Sequence, residues 1–303
     1  MLLWIICLIF SAGLDAKEIN IPVENSYIYG TLEESNSNHL VVLISGSGPT
    51  DRNGNSSISE GNNNSLKFLA EEIALKGFDT FRYDKRMVGK SKNFKSEDST
   101  VFYDFVSDTK LIIEHFRQDK KYDKISIIGH SEGSLIGGIV CTEIKIDNFV
   151  SLCGLIEQMD TTVIKQITDR APAFLEEVKG YFNQLNAGKK LDSVNPMLAS
   201  LFRPSIQGFL INMLKYKPSK VYSDIKSNKI FIGGGYDMQV KGEDVTKIAK
   251  EIGSKYLIFD EMNHVLKKSP KDFLGQLATY SNPELPLYDG LVDSIVKFLN
   301  ETK

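Results

Sequence analysis

Residues 125–138 read ISIIGHSEGSLIGG, a short β-branched run, a turn, and a run of small apolar residues. Ile125 to Ile128 has the composition of a buried strand, and Ser134 onward that of a helix pressed closely against a sheet. Between them, Gly129-His130-Ser131-Glu132-Gly133 is Gly-x-Ser-x-Gly in the strand-to-helix context of a nucleophile elbow. Such a turn forces the serine into a strained backbone geometry, and a side chain at either flanking glycine would strike the neighbouring strand or helix. The serine hydroxyl then stands above the carboxyl ends of the strands. The first N–H groups of the following helix are offered to a developing oxyanion. The pattern alone also fits an idle serine in a Gly-rich turn, so its surroundings must decide.

Working outward, strands and helices alternate. Glu18 to Leu32 alternates polar and apolar residues around Glu24-Asn25 and predicts an antiparallel hairpin. Leu40–Ile44 and Phe78–Tyr83 predict strands on either side of a helix capped by Ser65 or Asn64 and ending at Gly77. A helix over 101–118 leads to the elbow, and Phe149–Cys153 makes the next strand. From Gly154 to Asn228 the pattern is helical and broken by Asn195-Pro196, Arg203-Pro204 and Lys217-Pro218. Strands return at 229–233 and 256–259, separated by a helix over 243–252, and Leu291–Leu299 forms a last amphipathic helix. The expected fold is α/β: a mostly parallel, doubly wound sheet with antiparallel strands at its N-terminus and a helical lid insertion. Its parts are an α/β core at 17–153 and 229–303, a lid at 154–228, and a leader at 1–16.

Composition limits the function. The 303 residues carry a net charge of -3, with 42% hydrophobic and 25% charged residues, and lysines occur in short scattered pairs. Neither nucleic acid nor an acidic membrane surface is an expected partner. MLLWIICLIF at 1–10 is apolar, followed by small residues, and has the form of a signal peptide cleaved between Gly13 and Lys17. It is too short for a spanning helix. The protein is therefore expected to be exported, periplasmic or secreted, with no stable membrane span after cleavage. Of three cysteines, Cys7 would leave with the leader, while Cys141 and Cys153 lie in apolar runs and read as buried thiols, with a bridge possible in an oxidising compartment. No Cys/His spacing suggests a metal, and no cofactor is expected. Gly89-Lys90-Ser91 lacks the earlier glycine of a P-loop, since Asp84 stands there. Asp51 and Met238 likewise interrupt two would-be dinucleotide fingerprints.

A serine hydroxyl needs a base, and the base needs a carboxylate to fix its tautomer. In elbow-type hydrolases the chain order is Ser, acid, His. Of His39, His115, His130 and His264, only His264 follows Ser131, in a loop just past a strand. Asp237 is the favoured acid, on a Gly-rich turn beyond a different strand, and Asp260 is its rival. For the oxyanion, the N–H of Glu132 is one expected donor and that of Ser47, in the Gly46-Ser47-Gly48 loop after the strand at 40–44, is the other. His130 is expected to turn away beneath the sheet edge.

With these residues placed, the chain resembles the bacterial α/β-hydrolase-fold serine esterases. The similarity rests on GSGPTDRNGN (46–55), RYDKR (82–86) with GKS (89–91), GHSEGS (129–134), YDMQV (236–240), MNH (262–264), YSNP (280–283) and LFRPSIQ (201–207). Met87 departs from the family, which has glycine there. The resemblance implies Ser131, Asp237 and His264 as the triad, and structural ion pairs for Asp84 and Arg86. The expected activity is a carboxylesterase acting on small or short-chain acyl esters without metal or cofactor. An aminopeptidase or thioesterase with the same triad is the alternative; the first would need lid carboxylates such as Glu157, Asp160, Glu176 or Glu177 to hold the substrate amine. A non-catalytic binding protein on this fold is the reading from another class.

Overall fold

The structure, a computed structural model, describes residues 15–57, 61–94 and 96–301. Apart from Asp15 and Ala16, the expected leader with Cys7 lies outside the described residues. β1 (Asp15–Val23) and β2 (Ser26–Glu34) form the expected hairpin, with Val23 paired to Ser26 across the Glu24-Asn25 turn. Then follow β3 (His39–Ile44), α1 (Ser65–Leu75), β4 (Asp79–Tyr83), α2 (Phe102–Gln118), β5 (Lys124–His130), α3 (Glu132–Glu143) and β6 (Asn148–Leu152). Next come α4 (Met159–Arg170), α5 (Leu175–Asn186), α6 (Ala199–Phe202), α7 (Gln207–Met213) and α8 (Pro218–Asp224). The chain closes with β7 (Asn228–Gly234), α9 (Gly242–Glu251), β8 (Lys255–Phe259), α10 (Phe273–Tyr280) and α11 (Leu291–Asn300).

Among the described residues, eight strands form one sheet in the order β1-β2-β4-β3-β5-β6-β7-β8. Pairing is antiparallel from β1 to β4 and parallel from β4 through β8. β3 shows why the sheet needs helices on both sides. Leu40, Val42 and Ile44 enter one apolar cluster, with α2, α3 and α9, while Val41 and Leu43 enter the other, with α1 and α11. Glycines bring α3 close to the sheet, since a Cβ at Gly137 would lie 2.7 Å from Ile127 Cγ2. The parallel sheet with its antiparallel start is the fold expected from the sequence.

Between β6 and β7 lie only helices and loops. Val163, Val178, Phe182, Leu185, Phe202 and Leu210 make a third cluster shared by α4 to α7. The last helix of the segment, α8, instead sends Tyr222 into the main core. Each of the three X-Pro pairs starts a helical turn, with Pro196, Pro204 and Pro218 in its first turn, where the missing N–H costs no hydrogen bond. The segment is tied to α2 and to the short turn before it in three ways. Arg203 pairs with Glu97, Asn212 Oδ1 accepts the Tyr103 N–H at 3.0 Å, and Phe209 packs 5.6 Å from Phe102 and 5.5 Å from Phe105 between ring centres.

Two motif segments noted in the sequence meet at one carboxylate. Asp84 Oδ1 accepts the Arg52 N–H at 2.9 Å, and Asp84 Oδ2 accepts the Arg52 guanidinium at 2.8 Å and the Lys90 N–H at 2.9 Å. Arg86 pairs with Asp108 at 2.6 Å. Both acids are buried, so the first ion pair joins two loops and the second ties a loop to α2, both away from solvent. One expectation needs correction. Asn64 occupies the N-cap of α1 but in left-handed geometry with no side-chain cap, and Asn53 of the Gly-rich loop caps the helix instead. Its carbonyl accepts the N–H groups of Leu66 and Lys67 at 3.1 and 3.3 Å.

Met87 retains the backbone that a glycine would favour, with φ of 67°. The left-handed region costs a residue with a Cβ about 1–2 kcal/mol, and the extra unfolded-state freedom of glycine returns about half of that. Met87→Gly is therefore expected to raise stability by about 0.5–1 kcal/mol. A higher midpoint in urea unfolding at constant slope would show it; an unchanged or lower midpoint would mean the methionine side chain is worth more than its strain.

Candidate active site

Ser131 sits between β5 and α3 with φ of 54° and ψ of -122°. The turn is held at both ends: the Ser131 N–H donates to the Leu152 carbonyl at 3.0 Å, and the Ser131 carbonyl accepts from Ser134 and Leu155. The flanking glycines are required by space. A Cβ at Gly129 would fall 2.3 Å from the Gly133 carbonyl oxygen, and one at Gly133 would fall 2.3 Å from the Ile44 carbonyl oxygen. A strain of this kind survives only where the surroundings over-determine it. The serine side chain makes no capping bond to α3, so its hydroxyl is not committed to the helix. Intrahelical geometry leaves the N–H of Glu132, the first residue of α3, without an acceptor in the helix.

Asp237 and His264 come from the loops after β7 and β8. Glycines again permit the approach, because a Cβ at Gly234 would lie 2.1 Å from the Met262 carbonyl and one at Gly235 would lie 2.3 Å from that of Asp260. His264 Nδ1 is 2.8 Å from Asp237 Oδ2, and both residues are buried. Asp237 Oδ1 accepts the N–H groups of Gln239 and Val240 at 2.7 and 2.9 Å, which fixes the carboxylate's orientation. Nδ1 is thereby occupied and Nε2 is the nitrogen left to act as base. Asp260 is exposed and contributes a backbone carbonyl to the packing rather than a carboxylate to His264. The His264 loop is shaped by buried Asn263, whose Oδ1 accepts the N–H groups of Val265 and Lys267 at 3.2 Å.

The loop after β3 reaches the serine. A Cβ at Gly46 would stand 3.1 Å from Ser131 Cβ and 3.6 Å from its Oγ, while the next residue, Ser47, is exposed. The N–H groups of Ser47 and Glu132 thus belong to two segments that flank Ser131. Beneath them lies a buried ion pair, Lys85 with Glu132 at 3.2 Å.

Two further side chains join the site. His130 does not turn away: its ring packs 4.9 Å from that of His264, and its Nε2 is 2.8 Å from the His264 carbonyl oxygen. Burial, followed by the neighbouring His264, pushes its pKa down to about 3. His130 is therefore neutral at physiological pH and places no cation beside the base. Cys153, with φ of 47°, lies against Asp237, and burial pushes its thiol pKa up. The sulfur, carboxylate and imidazole of Cys153, Asp237 and His264 lie within 4.8 Å of one another, a set of atoms that could hold a metal ion. Both carboxylate oxygens are already engaged, and the raised thiol pKa favours the protonated form, so this grouping reads as a hydrogen-bonded acid. Cys141 and Cys153 are both free and buried.

The comparisons with known proteins agree on the fold. The family model described as "Serine aminopeptidase, S33" matches residues 62–183. Esterase EstD of Thermotoga maritima is 21% identical over 253 residues, 77% of this chain, and the chain spans 57% of the length of that curated relative. The Pyrococcus furiosus esterase Pf2001 superposes with a TM-score of 0.62 at 17% identity, covering 95% of this chain and 91% of the other. Est1E of Butyrivibrio proteoclasticus, solved with ferulic acid bound, gives 0.61 at 13% identity, covering 94% and 98%. The chain has the α/β-hydrolase fold.

Proposed function

We propose that this protein is a serine carboxylesterase. Ser131 Oγ attacks the acyl carbonyl while His264 Nε2 takes its proton, and Asp237 stabilises the imidazolium. The N–H groups of Ser47 and Glu132 receive the oxyanion. His264 then returns the proton to the leaving alcohol, and water releases the acyl group by the same steps in reverse. The observation that carries this reading is the backbone of Ser131, held at positive φ on a glycine-flanked turn in a sheet whose later strands, β7 and β8, lead into a paired aspartate and histidine. The esterase names among the sequence and structural relatives support it.

The segment 154–228 is the proposed lid, with α4 to α7 forming its cover. A cavity of about 310 Å³ lies between α4 and the 238–244 stretch, lined in part by Leu155, Ile156, Met238, Gln239 and Val240. Leu155 hydrogen-bonds to Ser131, and Gln239 and Val240 hydrogen-bond to Asp237, so the cavity's lining is one residue removed from the triad, and it is the proposed acyl or alcohol pocket. Its size lies at the small end of ligand pockets and favours short chains.

The matched family description keeps the aminopeptidase alternative in view, but the lid offers the substrate amine little. Glu157 pairs with Lys165 and Glu176 with Lys179; Glu177 accepts from Tyr181 and Asn195, and Asp160 from Asn186. The deciding experiment is hydrolysis of p-nitrophenyl esters from acetate to palmitate beside aminoacyl p-nitroanilides. We expect kcat/KM to be highest on the short esters and at least about 10²-fold lower on palmitate, from a pocket of this size. Faster cleavage of the anilides would transfer the assignment to an aminopeptidase.

A further inference from the structure

Lys85 is an unusual residue to find under an ester-hydrolysing site. Only 1% of its side chain is exposed. Its ammonium lies 3.2 Å from Glu132 Oε1, donates to the Gly46 carbonyl oxygen at 2.5 Å, and stands 5.2 Å above the Phe105 ring centre. A buried cation persists only where its hydrogen bonds are made and its charge is balanced. Both of its polar partners are adjacent to the groups that would bind the oxyanion. Glu132 follows the nucleophile and carries one N–H, and Gly46 precedes Ser47, which carries the other.

The planarity of the peptide bond turns this contact into an orientation. The peptide joining Gly46 to Ser47 is trans, so its N–H points opposite to its C=O. With the carbonyl drawn inward onto Lys85, the Ser47 N–H is directed outward, to the side on which Ser47 is exposed. The same residue holds Gly46 against Ser131, where a Cβ would stand 3.1 Å from Ser131 Cβ. Through Glu132, Lys85 is also tied to the first turn of α3.

We propose that Lys85 is a positioning residue for the oxyanion hole, holding the Gly46–Ser47 peptide in the orientation that aims the Ser47 N–H at the developing oxyanion and fixing it relative to the Glu132 N–H. Lys85 touches no reacting atom. The proposal rests on the esterase reading above and goes beyond it by assigning the source of its preorganisation. An oxyanion donor acts on the transition state more than on bound substrate, so its displacement lowers kcat and leaves KM nearly unchanged. A purely structural ion pair would instead show its loss in stability.

The test compares Lys85→Met/Glu132→Gln with Glu132→Gln as reference, so that no carboxylate is left unpaired in the buried site. Thermal unfolding, kcat and KM on p-nitrophenyl acetate, and inhibition by a trifluoromethyl ketone, whose hemiketal needs the same donors, are measured for each. We expect the double variant to have about 10²-fold lower kcat than its reference, KM within threefold, and a matching loss of ketone affinity. A kcat within tenfold of the reference, or a loss carried by KM, overturns the proposal. Where the double variant does not fold, Lys85→Gln is read against the wild type by the same criteria. Wild-type turnover lost in Ser131→Ala checks the esterase reading separately; a wild type without ester turnover overturns both.

Discussion

Ser131→Ala is expected to lower kcat on a short p-nitrophenyl ester by about 10⁴–10⁶-fold while leaving the fold intact. The size follows from what the substitution removes. No other hydroxyl is presented on the elbow, so acyl transfer to the enzyme stops and only the assistance that the oxyanion donors give to water remains. The fold should survive because the Ser131 side chain makes no capping bond to α3. Its strained φ of 54° is imposed by backbone contacts that alanine shares. Intact-mass detection of a serine-directed phosphonate on the wild type but not the variant, with superimposable thermal unfolding, completes the measurement. A variant that retains more than about a hundredth of the wild-type turnover would place the nucleophile elsewhere.

Asp237→Asn is expected to cost about 10⁴-fold in kcat near neutral pH, with KM little changed. The structure explains why so conservative a change would be so damaging. Asp237 Oδ1 is held by the N–H groups of Gln239 and Val240, so the introduced amide must keep its oxygen there and turn its NH₂ toward His264. His264 Nδ1, 2.8 Å from the position of Oδ2, would then have to accept rather than donate. The ring proton moves to Nε2, and the nitrogen that should take the serine proton is blocked. The amide cannot flip to relieve this without leaving two N–H groups unpaired in a buried turn. A kcat within tenfold of wild type would show that His264 is oriented by something other than Asp237.

Much of this arrangement is legible in the sequence because it depends on local pattern and chain order. Gly129 and Gly133 signal close approach, β-branched runs signal the strands, and only one histidine follows Ser131. Asp237 is favoured over Asp260 by its place on a glycine turn, and the structure sets Asp237, not Asp260, against His264. What escapes the sequence is set by distant partners. His130 looks like an elbow spacer until the loop bearing His264, 134 positions away, closes over it. Lys85 lies in a motif suggestive of ion pairs, but its purpose depends on Gly46, 39 residues before it, and Glu132, 47 after it. The cap of α1 is missed for the same reason, since the acceptor is a backbone carbonyl at Asn53 and carries no side-chain signal. The helix α10 is obscured because Phe273, Leu274 and Leu277 remain exposed and blur its amphipathic pattern.

The strand order has a consequence for how the molecule comes into being. Ser47, Ser131, Asp237 and His264 follow β3, β5, β7 and β8, and parallel neighbours cannot pair through a tight hairpin. Each crossover must close a long loop before its contacts repay the lost entropy, which makes such sheets slow to fold. The site therefore has no local precursor that an early intermediate could assemble. During refolding, the proposed hydrolysis can appear only after β8, which leads into the His264 loop, has taken its register beside β7.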